Sequence, residues 1–156
     1  MLRIYMVSCN QLAVNRNFVK NSVLALRVAL GWLFFYAGVT KIINPDWSAA
    51  GYLKSAKTLP DLFAWFALPS NIGWVNFLNE WGLTLVGIAL ILGIFTKWAS
   101  LGGILLMVLY YLPILEFPIV GGHSFIIDEH IIYIIAFIII IASNAGKYYG
   151  LDNKRN

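Results

Sequence analysis

Charge is what this sequence has least of. Only 12 % of its residues are charged, about half the share usual in a soluble domain, while 60 % are hydrophobic. So few charges cannot solvate the surface of a 156-residue globule, and the mean hydropathy of +0.77 agrees. Cysteine is nearly absent. With Cys9 alone, no intrachain disulfide framework exists. An uninterrupted apolar core near the start is missing too. Arg3, Asn10, Gln11, Asn15, Arg16, Asn17 and Lys20 break up residues 1–21, which excludes a secretory signal peptide. No phosphate-cradling glycine loop, Gly-x-Ser-x-Gly elbow or Cys-x-x-Cys pair occurs. The net charge of +4 forms no basic patch, which argues against nucleic acid as a partner.

What is present is apolar length. Crossing a hydrocarbon core takes about 20 mostly apolar residues, and in lipid these must be helical to satisfy the backbone. Residues 18–40, 73–96, 98–115 and 125–145 meet that requirement. The expected fold is an all-α integral membrane four-helix bundle, with residues 22–146 as one domain between tails at 1–21 and 147–156. Arg3, Arg16, Lys20, Lys97, Lys147, Lys154 and Arg155 fall on one side of such a bundle; Lys41, Lys54 and Lys57 fall on the other. The bias places both termini in the cytoplasm and the chain in the plasma membrane as a multi-pass protein. The long link 42–72 opens with the turn signal Asn44-Pro45-Asp46. Its apolar stretch 60–69 is too short to span and reads as an interfacial or re-entrant piece.

Ionisable residues inside spans are costly and need a reason. Arg27, Glu80, Asp128, Glu129 and His130 qualify, with Lys41 at the outer end of the first span. Helical spacing puts Arg27, Gly31, Phe34, Gly38 and Lys41 on one stripe, whose glycines suit close helix approach. Asn76, Glu80, Thr84 and Gly87 form a second stripe; Glu129, Tyr133, Ala136, Ile140 and Ser143 form a third. On this reading Glu129 points inward and Asp128 sits near the outer headgroups. Glu80, Glu129, Tyr110 and Tyr111 share one layer of the outer half, Lys41 lies above it, and Arg27 lies about 5 Å to the cytoplasmic side of the midplane. Three readings follow. The charges pair, Arg27 with either glutamate, and lock the bundle. Or they line a polar pocket that binds a small head group and exchanges protons. Or His123, Glu129 and His130 ligate a metal, although no tight ligand pattern supports this.

The pattern Arg27-x3-Gly31-x2-Phe34-x3-Gly38-x2-Lys41 resembles the first helix of the DoxX-like family, which includes the DoxD subunit of thiosulfate:quinone oxidoreductase. Glu80-Trp81-Gly82 through Gly87 is similar to its second helix. Asp128-Glu129-His130, with Gly146 and then Gly150-Leu151-Asp152, is similar to its C-terminal pattern; either Asp128 or Glu129 matches the acidic position. The resemblance implies a quinone-interacting membrane subunit of an oxidoreductase complex. Glu80 and Glu129 would then be catalytic, Arg27, Lys41, Tyr110 and His130 would line a quinone pocket, and no redox cofactor would be tightly bound. Further membrane subunits or copies of the chain, and membrane lipids, would be its partners. The alternative is a non-catalytic accessory subunit that stabilises a larger membrane enzyme.

Overall fold

The computed structural model describes the backbone of residues 2–122 and 124–154, and the side chains of residues 16–122 and 124–152. The side chains of Cys9 and His123 lie outside this set, so the metal reading through His123 finds no test here. Helix α1 runs Leu2–Ile42, and its portion Arg16–Ile42 is long and apolar enough to cross a membrane. Helices α2 (Ala50–Lys54) and α3 (Pro60–Phe66) follow in the long link. Helices α4 (Ile72–Leu92) and α5 (Thr96–Ile114) are the second and third candidate spans. Strands β1 (Leu115–Glu116), β2 (Ile119–Val120) and β3 (Ser124–Phe125) make a small antiparallel meander before helix α6 (Glu129–Ala142). Two short 3-10 turns, Ala145–Lys147 and Leu151–Lys154, end the described chain.

Three helices, not four, therefore reach spanning length among the described residues. The expected fourth span at 125–145 is a helix of 14 residues, about 21 Å long at 1.5 Å per residue. The physical reason lies at its ends. Ser124 and Phe125 are drawn into the meander by pairing with Val120 and Ile119. Asp128 takes an extended backbone and accepts the His130 and Ile131 amides, which fixes the helix start at Glu129. Elsewhere the expected limits shift by a few residues. Gly93, in the left-handed region at φ 65°, terminates α4 before residue 96.

The packing follows the glycine stripes. Arg27, Gly31, Phe34 and Gly38 are all buried, as their spacing required. A Cβ on Gly38 would strike Thr84 and the Glu80 carbonyl; one on Gly87 would strike the Phe35 backbone and the Gly31 carbonyl. Small residues on both helices thus let α1 and α4 approach backbone to backbone. α4 also packs on α5, α5 on α6, and α6 returns to α1. Phe34 and Phe137 meet edge to face at the centre, 5.1 Å apart and 82° between planes, with the Phe137 ring seated over Gly103. A second cluster of Ala49, Leu53, Ala56, Phe63 and Ala67 builds a cap from the link. Lys57 donates its amide to the Pro113 carbonyl at 2.8 Å, and the Thr58 hydroxyl donates to the Leu115 carbonyl, fastening the cap to the end of α5.

Gly87→Leu is expected to separate α1 from α4 and cost the 1–3 kcal/mol typical of overpacking or more, whereas Gly51→Ala, which meets nothing within 4 Å, should be nearly neutral. Thermal unfolding of detergent-purified variants decides; equal melting temperatures would contradict the close approach.

Candidate functional site

The candidate site residues separate into two ends of the molecule. Arg27 occupies one end. Its guanidinium is 1 % exposed and donates from Nη1 to the Ala145 carbonyl at 2.6 Å and the Tyr148 carbonyl at 3.1 Å. Gly93 and Gly150 pack against the same group, leaving no room for side chains there. The Arg27 Nε finds no hydrogen-bond acceptor among the described residues. Asp152 completes this end. Its carboxylate accepts the amides of Phe95 (2.8 Å) and Thr96 (3.0 Å) and the Thr96 hydroxyl, and its own amide donates to the Gly93 carbonyl. It thereby caps the N-terminus of α5, and it lies close enough to attract the Arg27 charge.

Arg27 therefore bonds to backbone carbonyls beyond α6 and pairs with neither Glu80 nor Glu129. Along the axis of α1, Arg27 lies well inside the candidate span Arg16–Ile42. Its level is that of Gly93 and Ala145, where α4 and α6 have already ended. A cation there meets the main-chain carbonyls of the turn that follows α6 and lies near the C-terminal ends of α4 and α6, which favour positive charge.

The other end gathers Lys41, Tyr110 and His130 around a cavity of about 130 Å³, walled by Phe34, Leu83, Met107 and Tyr133. Lys41 and Tyr110 also border a second, larger cavity of about 280 Å³ under the cap, lined mainly by Trp47, Phe63, Phe66, Trp74 and Leu109. The Lys41 ammonium donates back to the Ala37 carbonyl at 3.1 Å and lies 5.3 Å over the Trp47 ring. The Tyr110 hydroxyl donates to Asn79 Oδ1 at 2.7 Å. Its carbonyl, near the end of α5, accepts the Tyr52 hydroxyl. The His130 ring stacks on that of Tyr110 at 6.0 Å, and its Nδ1 meets Asp128 Oδ2 at 2.6 Å. Both partners of this pair are mostly enclosed, with side chains 14 % and 8 % exposed.

Glu80 is half-buried and Glu129 exposed. Glu80 attracts the Lys41 ammonium electrostatically but lines neither cavity. Glu129 lines neither as well and is exposed, whereas the Asp128 side chain is 8 % exposed, so the enclosed acid at the head of α6 is Asp128. Helical spacing misassigned the two because Asp128 is the N-cap, with extended backbone, and helical geometry does not govern where its carboxylate points. An aspartate directly before a long apolar run is a helix-start signal that would have found it. Asn79 had a weaker signal, three residues from Asn76 on the same helix. Tyr52 had none, because only the folding of the link brings it to Tyr110. Burial pushes the Tyr52 hydroxyl up to about 12, and Tyr110, Asp128 and Glu129 add repulsion against its phenolate.

A family model, DoxX, matches residues 22–114. This is more than half of the chain. The chain belongs to the DoxX family. The match covers α1 from Ser22, the cap, α4 and α5, and so includes Arg27, Lys41, Glu80 and Tyr110. Asp128, Glu129, His130 and the segment 146–152 lie beyond it. No curated protein and no solved structure gives a significant match. The three apolar helices and the family together make this a membrane protein.

Two outcomes are expected. Arg27→Met removes the side-chain donor to the Tyr148 carbonyl and leaves the Ala145 carbonyl with the Tyr148 amide alone, and should lower stability by about 1–3 kcal/mol. Arg27→Lys should restore only part, since an ammonium lacks the guanidinium fork; full stability in Arg27→Met would remove this end from the account. In the second, Tyr52 keeps its proton in the fold after the unfolded chain has released it. The stability it contributes is present below about pH 10 and is lost as pH rises through about 12. Tyr52→Phe should lack that alkaline loss, as read by unfolding followed across this range.

Proposed function

We propose that this DoxX-family protein crosses the plasma membrane four times, with both termini cytoplasmic, and acts as the quinone-interacting membrane subunit of an oxidoreductase complex of the thiosulfate:quinone type. The meander and α6 would together make the fourth crossing; the outward isoleucines Ile132, Ile135, Ile138 and Ile139 suit a lipid-facing surface. The observation that carries the functional part is the convergence of Lys41, Tyr110 and His130 on two adjoining cavities, one of them apolar. At about 280 Å³ the larger cavity sits at the small end of ligand pockets, which run from about 300 Å³ upward. That size fits a single substituted ring, and its aromatic walls suit a flat apolar body.

A quinone accepts two electrons and two protons. The electrons would come from a partner subunit that oxidises the donor. On this side, the Lys41 ammonium would donate a hydrogen bond to a carbonyl oxygen, and the Tyr110 ring would line the wall beside it. Asn79 holds the tyrosine hydroxyl at the wall. The Asp128–His130 pair would hold a proton at the smaller cavity, and Glu80 would attract the Lys41 ammonium. Glu129, exposed at the start of α6, would exchange protons with the outer solution.

Trp47 and Trp74 border the larger cavity, so a short-chain quinone analogue should quench tryptophan fluorescence saturably. Lys41→Met is expected to weaken that binding about tenfold, the worth of one strong hydrogen bond, and Tyr110→Phe, which frees Asn79 from the wall, to weaken it less. Glu80→Gln should lower quinone-linked turnover of the native complex while leaving its assembly intact. Quenching that does not saturate, or that ignores both cavity variants, would sink the reading. A chain that co-purifies with larger membrane subunits yet binds no quinone would be the accessory subunit instead.

A further inference from the structure

The Arg27 end carries a third cavity that the quinone reading does not use. It has a volume of about 330 Å³ and lies between the start of α5 and the end of α6. Its walls are of two kinds. Phe95, Trp98, Ile140 and Ile141 are apolar; Lys97, Lys147 and Asn144 are polar and sit together with Asp152. Trp98 is 70 % exposed, and the cavity lies where α5 begins and α6 has just ended. In a membrane this is the level of the headgroups, where tryptophan accumulates.

The charges at the cavity do not cancel. The Asp152 carboxylate is engaged by two amides and a hydroxyl at the head of α5. It also faces the partial positive charge of that helix end and the Arg27 cation. Lys97 and Lys147 are both exposed and approach from opposite walls, one from α5 and one from the turn after α6. An occupant that suits this site has an anionic head for two lysines and an apolar body for the isoleucines and aromatic rings. Inorganic phosphate has the first property only.

We propose that this cavity binds the phosphodiester headgroup of an anionic phospholipid, held by Lys97 and Lys147 with its glycerol and first acyl carbons against Ile140, Ile141 and Trp98. Basic pockets between membrane helices take such headgroups, and a lysine near the surface is worth about a fivefold gain in binding. The bound lipid would join the start of α5 to the end of α6 at the strap that buries Arg27. This inference needs the protein to be in a membrane but does not depend on quinone binding.

The test uses the full chain, purified in neutral detergent and delipidated. Its melting temperature and native mass spectrum are recorded with phosphatidylglycerol, with phosphatidylcholine, and with sodium phosphate at matched ionic strength. Phosphatidylglycerol is expected to raise the melting temperature and to remain bound in the mass spectrum, with the other two well behind. K97Q and K147Q should each weaken its retention about fivefold, and the pair together roughly thirtyfold. K54Q/K57Q, at the opposite end of the molecule, should leave retention unchanged. Equal effects of both lipids would overturn anion recognition. An equal effect of sodium phosphate would replace the lipid with a free anion. Undiminished retention in both single variants would move the lipid elsewhere, and because each removes one exposed charge, each is expected to fold even where the double variant does not.

Discussion

A guanidinium that is almost wholly enclosed has to be satisfied by whatever surrounds it. Around Arg27 the hydrogen-bond acceptors are main-chain carbonyls of Ala145 and Tyr148, with the Asp152 carboxylate adding attraction. This ties the first spanning helix to the last described turns, across 118 and 121 residues of chain. The other fastenings at this end depend on it. Gly93 and Gly150 are held against the arginine head, and the segment that brings Gly150 there also delivers Asp152 to the start of α5. One buried cation thus sets the relative position of α1, the α4–α5 turn and the chain beyond α6.

The glycine stripes do the same for the middle of the molecule. α1 and α4 touch through backbone at Gly31, Gly38 and Gly87. That contact sets the height of Lys41 relative to Asn79 and Glu80. α5 then brings Tyr110 to Asn79, and α6 lays His130 on Tyr110. The candidate site is thus a product of helix registration, and its residues need not be neighbours in sequence.

Much of this was legible in the residues, for identifiable reasons. Low charge and long apolar runs announce membrane helices. The spacing of Arg27, Gly31, Phe34 and Gly38 correctly names the inward face of α1, because a helix repeats every 3.6 residues. The spacing of Asn76, Glu80, Thr84 and Gly87 does nearly as well for α4, where Thr84 and Gly87 are buried and the other two half-buried. What failed was behaviour at helix ends and contacts made by distant parts of the chain. Nothing in residues 125–145 marks where strand stops and helix starts except Asp128, an N-cap read as an interior residue. The partners of Arg27 were not legible because they are main-chain carbonyls of a turn far along the chain. The contact of Tyr52 with Tyr110 was invisible, since it arises only when α2 and α3 fold over α5.

The 14 residues of α6 carry a consequence for the surrounding lipid. A hydrocarbon core is about 30 Å thick, and in the proposed fourth crossing α6 would cover about 21 Å of it beside three helices that are long enough. Phe117, Phe125 and Ile127, all more than half exposed before α6, extend the apolar surface past the helix start. In that crossing the remaining difference would fall on the bilayer, which would thin along that flank or meet another protein there. Hydrophobic mismatch of this kind costs fractions of a kcal/mol per Å, enough to concentrate neighbouring chains on one side of a membrane protein rather than around its whole circumference.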